Sequence, residues 1–312
     1  MTAFAFVFPG QGSQSVGMLD AWGDHPAVRA TLAEASEALG EDIAALIAQG
    51  PKEQLDLTTN TQPVMLTAGV AAWRAWQADT GLVPAAVAGH SLGEYTALVA
   101  AGALTLKDAL PLVRFRAQAM QEAVPVGTGG MAAILGLDAE AVKAGCAEAA
   151  RLVGEAVEAV NFNDPKQTVI AGTKAGVEKA CEVLKAAGAK RALPLPVSAP
   201  FHSSLMRPAA ERLRDKLAAT PFAVPTIPVI NNIDVATVTD VDAIRDALYR
   251  QAFGPVRWVE TIQALKARGL THVIECGPGK VLAGMVKRID GELASATVLD
   301  PASLQEVKGL LA

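Results

Sequence analysis

The segment GHSLG at residues 89–93 sets a serine, Ser91, between two glycines in the pattern Gly-x-Ser-x-Gly. In this pattern a sharp turn between a strand and a helix exposes the serine hydroxyl, which can then act as a nucleophile. The run at 85–89 predicts a buried strand before the turn, and residues 92–101 predict the helix after it. The alternative is an ordinary turn in which Ser91 caps the helix. The strand and helix signals on either side favour the nucleophile.

A serine hydroxyl is a weak nucleophile without a base, and the chain has four histidines. His202 lies in the segment VSAPFHSSLM, a loop between a predicted strand and a predicted helix, and such loops commonly present catalytic side chains. His25 starts a helix and His272 opens an apolar strand. His90 is adjacent to Ser91, and we expect its side chain to point away from the hydroxyl. We therefore predict that His202 is the base.

No aspartate is well placed to complete a catalytic triad. Hydrolases with this turn have the chain order Ser, then Asp or Glu, then His. The aspartates between Ser91 and His202 are Asp108 on a helix, Asp138 at a helix start and Asp164 in a turn. Because none of them follows a strand of the core, we predict a Ser/His dyad whose imidazole is oriented by a neutral acceptor such as a main-chain carbonyl.

The elements that must position these residues alternate between strand and helix on either side of a middle segment. Residues 4–8 and 85–89 predict strands before this segment, and 228–233, 272–277 and 296–299 predict strands after it. From 131 to 195 the order is strand, helix, strand, strand, helix, strand, which is typical of a ferredoxin-like unit. We predict a large α/β domain from residues 1–127 and 197–312, interrupted by a small domain at 128–196.

Composition narrows the class of protein. The chain has 312 residues, of which 51% are hydrophobic and 19% are charged, as expected of a globular, enzyme-sized protein rather than a disordered one. Its net charge of −5 argues against nucleic acid as a partner, because that function needs a basic face.

The N-terminus has no positive segment before an apolar stretch, and no uncharged apolar run reaches membrane-spanning length. We therefore expect a soluble, cytoplasmic protein without a membrane partner. Cys146, Cys181 and Cys276 are odd in number, far apart and without a Cys-x-x-Cys pair. They predict buried free thiols, and neither a disulfide framework nor a thiolate metal site.

Further motifs occur along most of the chain. They are FPGQGSQ at 8–14, GHSLGEY at 89–95, the MQEA helix with its arginine at 116–123, VNFN at 160–163, LPLPVSAPFHSSLM at 193–206, PVINN at 228–232, RQ at 250–251 and GPGK at 277–280. Together they resemble the malonyl-CoA:acyl carrier protein transacylase family, the acyltransferases of fatty acid synthesis. The resemblance implies a hydrolase-like α/β core with a mostly parallel sheet and an inserted ferredoxin-like βαββαβ domain.

The resemblance also implies catalytic roles. Ser91 would carry the malonyl group as an ester, and His202 would act as general base and acid. The backbone carbonyl of Gln251 would orient the His202 imidazole. The backbone amides of Gln11 and Leu92 would form the oxyanion hole, as the place of Leu92 at the start of a helix also suggests.

Substrate-binding roles follow in the same way. Arg116 would bind the free malonyl carboxylate, for which a planar guanidinium is well suited. Arg114 lies two residues away on the same helix, but the two side chains point about 200° apart, and the family spacing selects Arg116. Phe201 would restrict the space near the acyl carbon and so favour malonyl over methylmalonyl. Asn161 and Asn163 would line the cleft.

The implied reaction is ping-pong transfer of malonyl from malonyl-CoA to the phosphopantetheine thiol of acyl carrier protein, through an acyl-serine intermediate. It implies no metal and no redox cofactor, and we expect a monomer. Carrier proteins are acidic, so docking would need a basic patch. The basic residues considered for it are Lys190, Arg191, Lys280, Lys287 and Arg288. An esterase or thioesterase with the same turn, and a non-catalytic binding module, remain as alternatives.

Overall fold

The computed structural model describes residues 2–197 and 199–312. Within these ranges the strands are β1 Phe4–Phe8, β2 Ala86–Gly89, β3 Gly129–Leu135, β4 Val157–Asp164, β5 Gln167–Thr173, β6 Arg191–Pro194, β7 Val229–Ile230, β8 His272–Cys276 and β9 Ala294–Val298. The helices are α1 Pro26–Leu39, α2 Ile43–Gln49, α3 Lys52–Leu55, α4 Thr58–Thr80, α5 Gly93–Ala100, α6 Leu106–Gln121, α7 Ala139–Val153, α8 Lys174–Ala186, α9 Arg207–Ala219, α10 Val241–Gln251, α11 Trp258–Ala267, α12 Val281–Ile289 and α13 Pro301–Leu311.

Five strands form a parallel sheet in the order β7-β2-β1-β8-β9. All five residues of the central strand β1 are buried, because helices cover both faces of the sheet. The carboxyl ends of parallel strands meet at one edge. The segments that follow β1 and β2 therefore lie next to each other. The N–H of His90 donates to the carbonyl of Phe8 at 3.0 Å. The predicted serine turn lies at this edge.

Four strands form a separate antiparallel sheet in the order β4-β5-β3-β6. Helices α7 and α8 pack on one face around buried Ile134, Cys146 and Leu184. The opposite face carries Met131 and Val160 and packs against Leu195, Val197 and Phe201. The order of strands and helices along 129–194 is the predicted one.

The two sheets are joined beside the carboxyl edge of the parallel sheet. The N–H of Val256 donates to the carbonyl of Val160 at 2.8 Å, and the N–H of Phe162 donates back to the carbonyl of Val256 at 3.0 Å. These bonds hold β4 against the chain that leads into α11. The antiparallel sheet therefore forms a second wall facing the serine turn.

One predicted strand is longer than the observed one, and three observed helices, α2, α3 and α13, were not predicted. The strand predicted at 228–233 shortens to β7, because Asn231 and Asn232 leave the sheet and turn their polar groups to other partners. The strand predicted at 296–299 is β9, and the chain then continues into α13, which the sequence analysis did not predict. Within the described residues, no helix combines the length and the apolar character that crossing a membrane requires.

Candidate active site

Ser91 lies at the turn between β2 and α5 with a backbone φ of 53°, a left-handed conformation that strains a residue other than glycine. The two glycines of the motif allow close approach of the backbone. A Cβ atom on Gly93 would lie 2.0 Å from the carbonyl oxygen of Phe8, and one on Gly89 would lie 1.9 Å from the carbonyl of Gly93. The Gly-x-Ser-x-Gly pattern is therefore a packing requirement of this turn.

Hydrogen bonds from distant residues hold the strained turn. The N–H of Ser91 donates to Oδ1 of Asn232 at 2.7 Å, and Nδ2 of Asn232 donates to the carbonyl of Gly89 at 2.7 Å. Nε2 of Gln251 donates to the carbonyl of Ser91 at 3.0 Å. Asn232 is a site residue that the sequence analysis missed, although the motif PVINN contains it.

The close approach at Gly93 gives a stability prediction. We expect Gly93→Ala to lower the free energy of unfolding by about 3 kcal/mol or more, because overpacking against a backbone carbonyl cannot be relieved by a change of rotamer. Gly309→Ala is the matched control. A Cβ at this helical position meets no atom within 4 Å, and the change should stabilise the protein by up to about 1 kcal/mol. Urea denaturation measures both changes, and equal midpoints for the two variants would contradict this account.

His202 lies beside the serine hydroxyl. Oγ of Ser91 is 2.7 Å from Nε2 of His202, although the two residues are 111 positions apart. Nδ1 of His202 is 2.9 Å from the carbonyl oxygen of Gln251. Because a carbonyl only accepts, Nδ1 carries the hydrogen, and in the neutral ring Nε2 is free to accept the hydroxyl proton. The geometry is therefore that of a Ser/His dyad oriented by a main-chain carbonyl.

Burial keeps the imidazole neutral. The His202 side chain is buried, and the lost hydration lowers its pKa to about 3, with the nearby charge of Arg116 acting in the same direction. The hydrogen bond to the Gln251 carbonyl opposes this shift. The imidazole is therefore unprotonated across the neutral pH range, which leaves Nε2 free as an acceptor.

Arg116 on α6 is buried beside the dyad. Its Nη2 is 3.2 Å from Oγ of Ser91 and 3.0 Å from Oε1 of Gln251, and its Nη1 is 2.8 Å from Oε1 of Gln62. Arg114 faces the other side of α6 and forms two hydrogen bonds with the Glu41 carboxylate, at 2.7 and 2.8 Å. Of the two arginines, Arg116 is therefore the one at the site.

The backbone amides of Gln11 and Leu92 lie on the loop after β1 and at the start of α5. Among the hydrogen bonds within the described residues, none uses either of these N–H groups. Both residues line the cavity that contains Ser91. Two amides without protein partners near a nucleophile can stabilise an oxyanion.

A cavity of about 470 Å³ lies between the two sheets. Ser91, Arg116 and His202 line this cavity, together with Phe201 and Asn161. Asn163 was also expected to line the cavity, but it is not among the lining residues. Asn163 is buried with its Oδ1 2.8 Å from Nε2 of His90, because the ring of His90 turns away from the hydroxyl of Ser91 and needs a polar partner.

The described residues contain no group of three His, Cys, Asp or Glu side chains arranged to hold a metal ion. Two further residues that sequence analysis missed are buried near the dyad, namely Gln62 on α4 and Glu94 on α5. Glu94 is part of the motif GHSLGEY, so its position one turn after the nucleophile was visible, but its partners were not.

Comparison with known proteins agrees with the geometry. Residues 5–304 match the family described as acyl transferase domain. Over 305 residues the chain is 55% identical to the malonyl CoA-acyl carrier protein transacylase of Salmonella typhimurium, covering 97% of this chain and 98% of the relative. It is similar to the crystal structure of an acyl-carrier-protein S-malonyltransferase from Burkholderia pseudomallei, with 69% identity, a TM-score of 0.96 and coverage of 98% and 99%. It is also similar to a malonyl-transacylase solved with a type II polyketide acyl-carrier protein, with 51% identity, a TM-score of 0.95 and coverage of 97% and 98%.

Proposed function

Because the chain belongs to the acyl transferase domain family, we infer that it transfers a malonyl group from malonyl-CoA to the phosphopantetheine thiol of acyl carrier protein in fatty acid synthesis. The observation that carries this inference is the contact between Oγ of Ser91 and Nε2 of His202, with the Arg116 guanidinium 3.2 Å from the same oxygen. This arrangement joins a nucleophile, a base and a cation that can bind an anion.

The first half-reaction forms an acyl-serine. Oγ of Ser91 attacks the thioester carbonyl while Nε2 of His202 takes the hydroxyl proton. The amides of Gln11 and Leu92 donate to the oxyanion, and the Gln251 carbonyl holds the imidazolium through Nδ1. The carbon–sulfur bond then breaks, and Nε2 returns its proton to the sulfur, so that CoA leaves as a free thiol.

Arg116 selects the acyl group. Its guanidinium is close enough to Oγ of Ser91 that a carboxylate one methylene beyond the esterified carbonyl carbon can reach it. The malonyl group has such a carboxylate and the acetyl group does not. Phe201 limits the space beside the acyl carbon, and Asn161 offers its amide to the pantetheine arm. Asn163 supports this wall indirectly, through its bond to His90.

The second half-reaction reverses the first. The carrier-protein thiol gives its proton to Nε2 of His202 and attacks the malonyl ester. Oγ of Ser91 leaves and takes the proton back. Atoms and electrons balance in both halves without a redox or metal cofactor, and we propose that none is needed.

Mass spectrometry after mixing with malonyl-CoA tests this function. We expect one malonyl adduct on the peptide that contains Ser91, with one CoA released per chain, and its discharge when a carrier-protein thiol is added. Steady release of free malonate without a thiol would instead indicate a thioesterase. No adduct and no CoA release would leave only a binding module.

Arg116→Ala should lower kcat/KM for malonyl-CoA by about 100-fold, because a charge-assisted bidentate pair with the substrate is lost. Its activity with acetyl-CoA should fall by less than about threefold, because acetyl has no carboxylate to pair. Arg114→Ala, which removes the same side chain from the other face of α6, is the matched control and should leave both activities near wild type. An unchanged ratio of malonyl to acetyl activity in Arg116→Ala would refute the assigned role.

For the acidic carrier protein we propose a basic docking surface. Lys190, Arg191, Lys280 and Lys287 are exposed and support this proposal. Arg288 contributes less, because its Nε is already bonded to Asp164 at 2.6 Å.

We further propose that the chain is a cytoplasmic monomer with two domains, residues 1–127 and 197–312 as the hydrolase-like core and 128–196 as a ferredoxin-like insert. The antiparallel strand order β4-β5-β3-β6 supports the insert. The three cysteines are free, which supports a reducing compartment. Ser91, His202 and Arg116 come from one chain, so the proposed reaction requires no residue from a second copy.

A further inference from the structure

Glu94 is a buried carboxylate that the proposed reaction does not use. It lies on α5, one turn after Ser91, and is 2% exposed. Its Oε2 accepts two hydrogen bonds, from Nε2 of Gln251 at 2.9 Å and from the N–H of Asn232 at 2.9 Å. Burial raises the pKa of Glu94 to about 7, and these donors and the charge of Arg116 act in the opposite direction. Burying a carboxylate is costly, so its position beside the dyad calls for a physical reason.

The Gln251 side chain connects Glu94 to Arg116. Its Nε2 donates both to Glu94 and to the carbonyl of Ser91, at 2.9 and 3.0 Å. Its Oε1 accepts from Nη2 of Arg116 at 3.0 Å. The three side chains therefore form a continuous relay from carboxylate through amide to guanidinium.

The two ends of an amide are alike in shape, so only its partners decide which end faces Arg116. In the observed orientation the amide NH₂ meets two acceptors and the amide oxygen meets a donor. A flipped Gln251 amide would set its oxygen against the Glu94 carboxylate and its NH₂ against the Arg116 guanidinium. Glu94 therefore fixes the orientation that lets Gln251 accept from Arg116.

The relay also leaves the guanidinium without a carboxylate of its own. Within the part of the chain that the structure describes, the hydrogen-bond acceptors of Arg116 are the neutral oxygens of Gln62, Ser91 and Gln251. Burial disfavours the charge of Arg116 and lowers its pKa, while nearby Tyr95 and Glu94 favour the charged form. A direct ion pair with Glu94 would occupy the guanidinium. The interposed amide leaves it available for a carboxylate that arrives with the substrate.

We propose that Glu94 is a positioning residue that sets the preference for acyl groups with a free carboxylate, by fixing the Gln251 amide against Arg116. This inference rests on the proposed function. The inference extends the proposed function, because it assigns part of the acyl selectivity to a side chain that does not touch the substrate.

Glu94→Met tests the proposal, because methionine has a similar volume and its thioether is a far weaker acceptor for Gln251 than a carboxylate. We expect kcat/KM for malonyl-CoA to fall about 10- to 100-fold, mostly through KM, and that for acetyl-CoA to change less than about threefold. Glu94→Gln keeps the acceptor oxygen and should recover most of the malonyl activity. In an Arg116→Ala background, Glu94→Met should leave the malonyl to acetyl ratio unchanged, since the group that it positions is absent.

Glu275→Met is the matched control. Glu275 is fully buried, its pKa is raised to about 7 by burial, and its Oε2 accepts from the N–H of Ala283 at 2.8 Å, away from Arg116. This variant should lower the unfolding temperature without changing the malonyl to acetyl ratio. If Glu94→Met does not fold, Gln251→Met breaks the same relay, keeps the backbone carbonyl that holds His202, and should give the same selective loss.

An unchanged ratio, or equal losses with both substrates, in the variant that folds would overturn the proposal. Either result would mean that Glu94 only supports the serine turn, through its hydrogen bond with Asn232. Failure of the proposed function would appear separately, as a wild-type protein that forms no malonyl adduct.

Discussion

Ser91→Ala is expected to abolish the malonyl adduct and to lower transfer to the carrier thiol by about 10⁴-fold or more. Alanine removes the one oxygen that lies 2.7 Å from Nε2 of His202 and 3.2 Å from Nη2 of Arg116. The fold should survive, because the hydrogen bonds that hold the turn use the backbone of Ser91 and not its hydroxyl. Intact-protein mass spectrometry and a coupled assay of CoA release measure the two effects.

Ser295→Ala serves as the control for the loss of a serine hydroxyl. Ser295 lies on β9, where its Oγ donates to the carbonyl of Ala283 at 3.1 Å, and it does not line the cavity. This variant should keep the adduct and the transfer rate. Persistence of a malonyl adduct in Ser91→Ala would remove the serine from the mechanism.

His202→Ala should slow acylation by about 10³- to 10⁴-fold, because the hydroxyl of Ser91 loses its proton acceptor. The effect should appear in the rate of a single turnover, with little change in malonyl-CoA affinity, since Arg116 and its partners remain in place. Rapid-quench measurement of CoA release gives this rate directly.

His272→Ala is the control, because His272 starts β8 at the opposite edge of the parallel sheet and should not affect the reaction. The double variant Ser91→Ala/His202→Ala should be no slower than Ser91→Ala alone, because the two residues act as a unit. Acylation of His202→Ala within tenfold of wild type would show that another group takes the proton.

The dyad could be predicted from sequence because its signals are local. Gly89 and Gly93 mark the turn by their spacing, and His202 was the one histidine in a loop at the end of a strand. Helical periodicity on α6 put the side chains of Arg114 and Arg116 on different faces. Choosing which of the two binds the substrate carboxylate needed the resemblance to a family. The structure supplies the physical difference, since Arg114 pairs with Glu41 on the outer face.

The supporting network could not be predicted in this way. Asn232 and Gln251 lie 141 and 160 positions from the Ser91 backbone that they hold, and no local pattern gives the partners of a buried amide. By contrast, α13 could have been predicted from the sequence. Asp300 and Ser303 form a capping box with Pro301 in the first turn, so the start signal was present and was overlooked.

The two walls of the cavity come from different sheets, and this separation has an evolutionary consequence. Ser91, His202 and Arg116 stand on the parallel side, whereas Met131 and Asn161 belong to the antiparallel side. Substitutions in one wall can therefore accumulate without altering the other. A change on the antiparallel side, for example at Met131, can alter the shape of the cavity while the contact between Ser91 and His202 stays in place.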